Sequence, residues 1–215
     1  MARGGAPLSR ARLALVLAHG RGGSPEDMLA LGEALGLPDL ALLAPEAAGR
    51  SWWPGSFLAP LAANEPALGS ALGAIEAVVG GLMAAGWPPE RIAVAGFSQG
   101  ACLAVEHAAR TGRRHHAVAA LSGALVGTGE AGGPPRDDLH GFAAKRLDYA
   151  MRLDGVPVLL AAHERDPHIP LARLRESAET LLRLAAEVTT RIHPGAGHGV
   201  TAAEVAWLRG RLNAA

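Results

Sequence analysis

The chain has one cysteine in 215 residues, so no disulfide can close within it. That scarcity points to a reducing, cytoplasmic setting. Net charge is also missing, because 20 Lys and Arg offset 20 Asp and Glu. A balanced chain has no electrostatic footprint for nucleic acid or an anionic membrane surface. Long apolar runs are absent too. Leu13–Ala18, the run before His19, is far short of the roughly 20 residues that span a bilayer, and it reads as a strand rather than a secretory signal. No Gly-Lys-Ser/Thr occurs. Gly20-Arg21-Gly22 begins like a dinucleotide fingerprint, but Pro25 stands where the third glycine would be, which argues against a nucleotide. Arg113-Arg114-His115-His116 reads as a solvated helix C-terminal turn rather than a binding patch.

Glycine is abundant, and its placement is informative. Gly96-Phe97-Ser98-Gln99-Gly100 follows the apolar run 92–95 and precedes a helically spaced segment from Gln99. A Gly-x-Ser-x-Gly between strand and helix is the context of a nucleophile elbow, where a sharp turn lifts the serine hydroxyl above a sheet. The glycines are expected because a Cβ at 96 or 100 would collide with the neighbouring strand and helix. A serine hydroxyl is a weak nucleophile at neutral pH, so it needs a base, and the base needs a group to orient it. In this context the chain order is Ser, then Asp or Glu, then His. Asp166 follows the apolar strand 156–162 and is fixed by Pro167 and Pro170 after it. His198 follows the strand 187–192 in the loop Pro194-Gly195-Ala196-Gly197-His198. Asp154 precedes its strand and would lie at the wrong sheet edge; Glu164 is the nearest rival to Asp166.

Eight other histidines compete with His198. His107 is expected on the outer face of its helix and His140 in a polar segment. His163, His168 and His193 flank the two loops and read as loop histidines bonded to backbone. For a developing oxyanion, the backbone N–H groups of Gln99 and of Arg21, in the loop His19-Gly20-Arg21-Gly22-Gly23, are the expected donors. Three of the few aromatics sit in the segment 51–57 after the second strand. Trp53 and Phe57 are expected to wall the substrate site.

Together these segments resemble the phospholipase/carboxylesterase family of α/β-hydrolases, over roughly residues 12 to 210. The resemblance implies a serine esterase with no metal or organic cofactor, with Ser98, Asp166 and His198 as triad and Arg21 and Gln99 as oxyanion donors. Many relatives carry glycine where this chain has His163. The implied partner is a small or medium acyl ester. Thioester or lysolipid hydrolysis and a non-catalytic binder are the alternatives, and the oligomeric state, a homodimer included, is open.

Strands are predicted near 12–18, 40–44, 91–95, 116–121, 156–162 and 187–192. Helices are predicted near 25–36, 65–85, 99–111, 139–153, 170–186 and 201–213. The alternation predicts one α/β domain over 1–215, with a mostly parallel central sheet, helices on both faces and no large cap. Ligands of such sheets bind beyond the carboxyl ends of the strands, where Ser98, Asp166, His198 and the Arg21 loop all fall. Residues 127–153 are expected to be a flap or a surface insertion, with 127–138 itself a surface loop.

Overall fold

The computed structural model describes residues 1–214. Seven strands form one sheet: β1 (Ala2–Gly5), β2 (Leu13–Ala18), β3 (Leu40–Ala44), β4 (Ile92–Phe97), β5 (Val118–Leu121), β8 (Pro157–Arg165) and β9 (Glu187–Ala196). Their order is β1-β3-β2-β4-β5-β8-β9. Only β1 runs antiparallel to its neighbour. A small ribbon pairs β6 (Gly129–Glu130) with β7 (Lys145–Arg146). The helices are α1 (Pro25–Glu33), α2 (Leu61–Asn64), α3 (Ala67–Ala84), α4 (Gln99–Thr111), α5 (Leu171–Arg183) and α6 (Ala202–Asn213).

Alternation along the strands divides the core in two. Ala14, Val16 and Ala18 of β2 pack with Ile75 and Val79 of α3, α4 residues such as Leu103, and Leu174 and Leu181 of α5. Leu13, Leu15 and Leu17 face the other way, onto Met28 of α1 and Leu208 and Leu212 of α6. Every residue of β2 is therefore buried, as expected for a parallel strand covered on both sides. α3 is long and apolar enough to cross a membrane by composition alone, with mean hydropathy 1.6. Its Leu68, Ile75, Val79 and Leu82 are buried against the sheet. α1 starts at Ser24, whose side chain accepts from the Asp27 N–H while Asp27 accepts from the Ser24 N–H, a reciprocal cap of the expected kind.

The six predicted strands are present, and β8 and β9 run several residues further than expected. The helix expected over 139–153 does not form. Asp137–Leu139 is a single 3-10 turn, and His140 and Gly141 follow with φ of 54° and 80°. Beyond them, long-range partners hold the segment extended. Lys145 Nζ donates to Phe57 O at 2.9 Å, Tyr149 Oη donates to the buried Glu106 carboxylate at 2.6 Å, and Leu153 N–H bonds Leu184 O. These bonds outcompete a local helix. β1 has no signal in the sequence: Ala-Arg-Gly-Gly has no apolar alternation, and its edge pairing to β3 fixes it.

Several histidine expectations need correction, and His193 is one of them: its Nε2 lies 3.1 Å from the Glu204 carboxylate rather than on backbone. His107 is buried, with Nε2 2.9 Å from Glu76 Oε2, and His115 is buried beside it with ring centroids 5.9 Å apart. Arg113 shares Glu76, so the basic turn folds inward onto a carboxylate of α3. Burial pushes the His115 imidazole down to about 4, against an ordinary value near 6.5. The unfolded chain therefore takes up the proton first, and stability falls as pH drops from about 6.5 toward 4. That window represents at most about 3 kcal/mol. Urea unfolding of wild type and His115→Gln across this range should show a clear loss of slope in the variant. Parallel curves would rule His115 out.

Candidate active site

The elbow depends on close backbone approach. A Cβ at Gly96 would lie 2.1 Å from Gly100 O, and one at Gly100 would lie 2.1 Å from Ala18 O. Neither position can hold a side chain with this geometry. Ser98 between them has φ 54° and ψ −118°, a strained conformation for a residue with a Cβ. Its N–H donates to Leu121 O at 2.9 Å, so β5 holds the turn in place.

Ser98 Oγ lies 2.8 Å from His198 Nε2, and His198 Nδ1 lies 2.8 Å and 3.0 Å from the two Asp166 oxygens. Three residues from the ends of three different strands are thus joined in one hydrogen-bonded chain. Asp166 is buried and also accepts from the His168 and Ile169 N–H groups at 2.8 Å and 3.0 Å. Burial works to raise its carboxyl, but the His198 bond and these backbone donors outweigh it and hold the group below its usual range. An ionised Asp166 fixes the imidazole proton on Nδ1 and turns the Nε2 lone pair to the serine. Such a chain can take up the hydroxyl proton as the oxygen attacks. Glu164 is not part of it; its Oε2 accepts from the Gly195 N–H at 3.1 Å. His163 sits where a Cβ at Gly197 would meet its ring at 2.8 Å. Gly197 opposite therefore makes room for this imidazole.

The loop at His19 is braced from beneath. His19 is fully buried; its Nε2 accepts from Ala47 N–H at 3.1 Å, which leaves Nδ1–H to donate to Gly20 O at 2.7 Å. Trp52 packs against its ring and donates Nε1–H to His19 O at 2.8 Å. Gly22 N–H bonds Arg50 O at 2.7 Å. A Cβ at Gly20 would be 3.2 Å from Ser98 Cβ, so this loop lies directly against the elbow. Neither the Arg21 nor the Gln99 backbone N–H donates to an acceptor among the described residues. The Gln99 side chain has a separate task. Its Oε1 accepts from Trp52 N–H at 2.9 Å and its Nε2 donates to Trp53 O at 2.8 Å, tying the aromatic segment to the elbow.

A cavity of about 660 Å³ opens over Ser98 and His198. Trp53 and Phe57 line it, whereas Trp52 serves the core and the His19 loop. Other wall residues have no such signal in the sequence. Phe142 and His140 come from the segment expected to be helical, and His168 and Ile169 from the loop that carries Asp166. His168 is not the backbone-bonded loop residue expected of it; its ring meets His198 edge-on, with centroids 4.7 Å apart. Cys102 also reaches the cavity, but burial pushes its thiol up to about 12. It is a neutral wall atom, not a nucleophile. No cluster of His, Cys, Asp and Glu among the described residues is arranged to hold a metal.

The phospholipase/carboxylesterase family model matches residues 6–134. A phospholipase/carboxylesterase from Dyadobacter fermentans is similar over 99% of this chain and 95% of its own, at 34% identity and a TM-score of 0.85. Esterase PE8 is similar over 99% and 96%, at 25% identity and 0.74. SOBER1 of Arabidopsis thaliana shares the fold over 94% and 98%, at 17% identity and 0.72. No curated protein matches. With the sheet order, the elbow and these likenesses together, the chain belongs to the phospholipase/carboxylesterase family of α/β-hydrolases and is a carboxylesterase-type hydrolase.

Proposed function

We propose that this chain is a single-domain serine carboxylesterase for small to medium acyl esters, working through an acyl-enzyme. The observation that carries the reading is the continuous chain from Ser98 Oγ through His198 to Asp166. Ser98 attacks the ester carbonyl while His198 Nε2 takes its proton. Asp166 orients the imidazole and stabilises its charged form. The negative charge on the carbonyl oxygen is met by the Arg21 and Gln99 N–H groups, which are free of other partners among the described residues, as an oxyanion site requires. His198 then protonates the departing alcohol, and water activated by the same imidazole releases the acid. No cofactor is invoked. The single free cysteine is buried and suits a cytoplasmic site of action.

Trp53, Phe57 and Phe142 provide an apolar wall for the acyl group. Each methylene buried there contributes about 0.8 kcal/mol. Initial rates on p-nitrophenyl acetate, butyrate, octanoate and palmitate should therefore rise from acetate, peak at butyrate or octanoate, and fall at palmitate. Folded protein with no rate on any of the four would overturn the reading. A matched S-acyl substrate turned over far faster than its oxygen ester would reassign it as a thioesterase.

A further inference from the structure

We infer that the site selects esters carrying a carboxylate close to the scissile bond, held at the cavity mouth by Arg21, His140 and His168. This rests on the esterase reading and names its substrate class. Arg21 lines the cavity and is exposed. Its guanidinium donates to Ser51 Oγ at 2.8 Å, Pro54 O at 3.0 Å and Gly55 O at 2.6 Å. All three acceptors are neutral, and Arg21 has no ion pair among the described residues. A guanidinium has five N–H donors, so these bonds fix its orientation and leave two donors and the whole charge unspent. The fixed geometry matters because a long side chain already held in place loses little entropy when a ligand arrives.

The rest of the wall adds no compensating charge. The cavity lining contains no Asp or Glu, and its other titratable groups are Cys102 and the imidazoles of His140, His168 and His198. Asp166 stands behind His198 with its oxygens already occupied. His140 and His168 are exposed at the mouth, and neither ring is hydrogen-bonded among the described residues. Each ring therefore has a nitrogen to offer an oxyacid, with His168 directly beside the reacting imidazole. Below this cationic mouth the wall is Trp53, Phe57, Phe142 and Ile169. An apolar acyl portion with an acidic group at one end matches both zones. Charge-assisted hydrogen bonds to an oxyacid are roughly twice as strong as neutral ones. At an exposed mouth this amounts to about tenfold in selectivity, or about 1.4 kcal/mol.

Charge-matched substrate pairs test this. One pair, p-nitrophenyl hydrogen glutarate against p-nitrophenyl valerate, puts the anion on the acyl side. The other, meta-butyryloxybenzoate against the corresponding benzamide, puts it on the alcohol side. At low salt, kcat/KM should favour the charged member about tenfold in at least one pair, mainly through KM, and that pair fixes the side. The preference should shrink at about 0.5 M salt, where charges are screened within a few ångströms. In Arg21→Gln the ratio should fall to about one, and Arg21→Lys should keep part of it. A ratio of one or below in both pairs overturns the inference. So does an Arg21→Gln variant that slows both members equally, because that is the signature of loop bracing alone. Neutral esters hydrolysed with no charge preference leave the esterase standing and remove only this inference. If no ester is hydrolysed, both fall.

Discussion

Ser98→Ala should lower kcat on p-nitrophenyl butyrate by about 10⁶-fold, the scale set by losing the nucleophile of a serine triad. The substitution removes one oxygen and little else. An alanine there can keep the positive φ at the same cost, its N–H still reaches Leu121 O, and Gly96 and Gly100 are untouched. Thermal melting should therefore stay close to wild type, and a lost rate cannot be ascribed to a lost fold. Some rate above buffer should survive, because the two proposed oxyanion donors and the cavity would still bind and polarise an ester. That remnant should be insensitive to organophosphates, whereas the wild-type enzyme should be stopped by one equivalent. Activity within tenfold of wild type in the folded variant would mean that another group carries the chemistry.

Much of this site is legible in the sequence for a physical reason. The elbow needs two residues without side chains around a serine, and only glycine tolerates a carbonyl at 2.1 Å from a would-be Cβ. Asp166 and His198 are recognisable because each follows a buried strand run, and parallel strands deliver their ends to one edge of the sheet. Gln99 and Arg21 follow from the same logic, since their backbone positions are set by the turns. Trp53 and Phe57 are legible for a related reason, as the 51–57 segment leaves β3 at the same edge.

The rest is set by contacts distant in sequence. Residues 139–153 have helical spacing, yet Lys145 is committed to Phe57 O and Tyr149 to Glu106, partners 88 and 43 residues away. Local periodicity carries no trace of such bonds, so Phe142 and His140 cannot be assigned to the cavity in advance. His107 and His115 are misplaced by sequence reasoning for a similar cause. A histidine among arginines looks solvated until the fold turns that segment inward: Glu76 of α3 pairs with His107 and Arg113, and His115 Nδ1 lies 3.2 Å from Ile92 O. His168 has a visible signal, lying two residues after Asp166. The edge-on packing that aims its ring at His198 leaves no mark in the sequence.

Asp166→Asn should cost about 10⁴ in kcat while leaving the loop in place, and the hydrogen bonds of this loop give the reason. Asp166 Oδ1 accepts from the His168 and Ile169 N–H groups, so an asparagine must turn its carbonyl oxygen to that side. Its NH₂ then occupies the Oδ2 position, 2.8 Å from His198 Nδ1. An amide donor there requires Nδ1 to be the acceptor, which moves the imidazole proton to Nε2. Nε2–H now faces Ser98 Oγ and cannot take its proton. The variant should fold, keep its KM within a few-fold, and regain rate at high pH as hydroxide replaces the base. Asp166→Ala should be less well folded, because it strands two backbone donors in a buried site. Glu164→Gln is the control; it changes a carboxylate that holds only the Gly195 N–H and should cost less than about threefold, as a surface change away from the chemistry does. If the two variants exchanged places, Glu164 rather than Asp166 would be the group that orients His198. If Asp166→Asn kept more than a tenth of the wild-type rate, His198 would need no carboxylate at all.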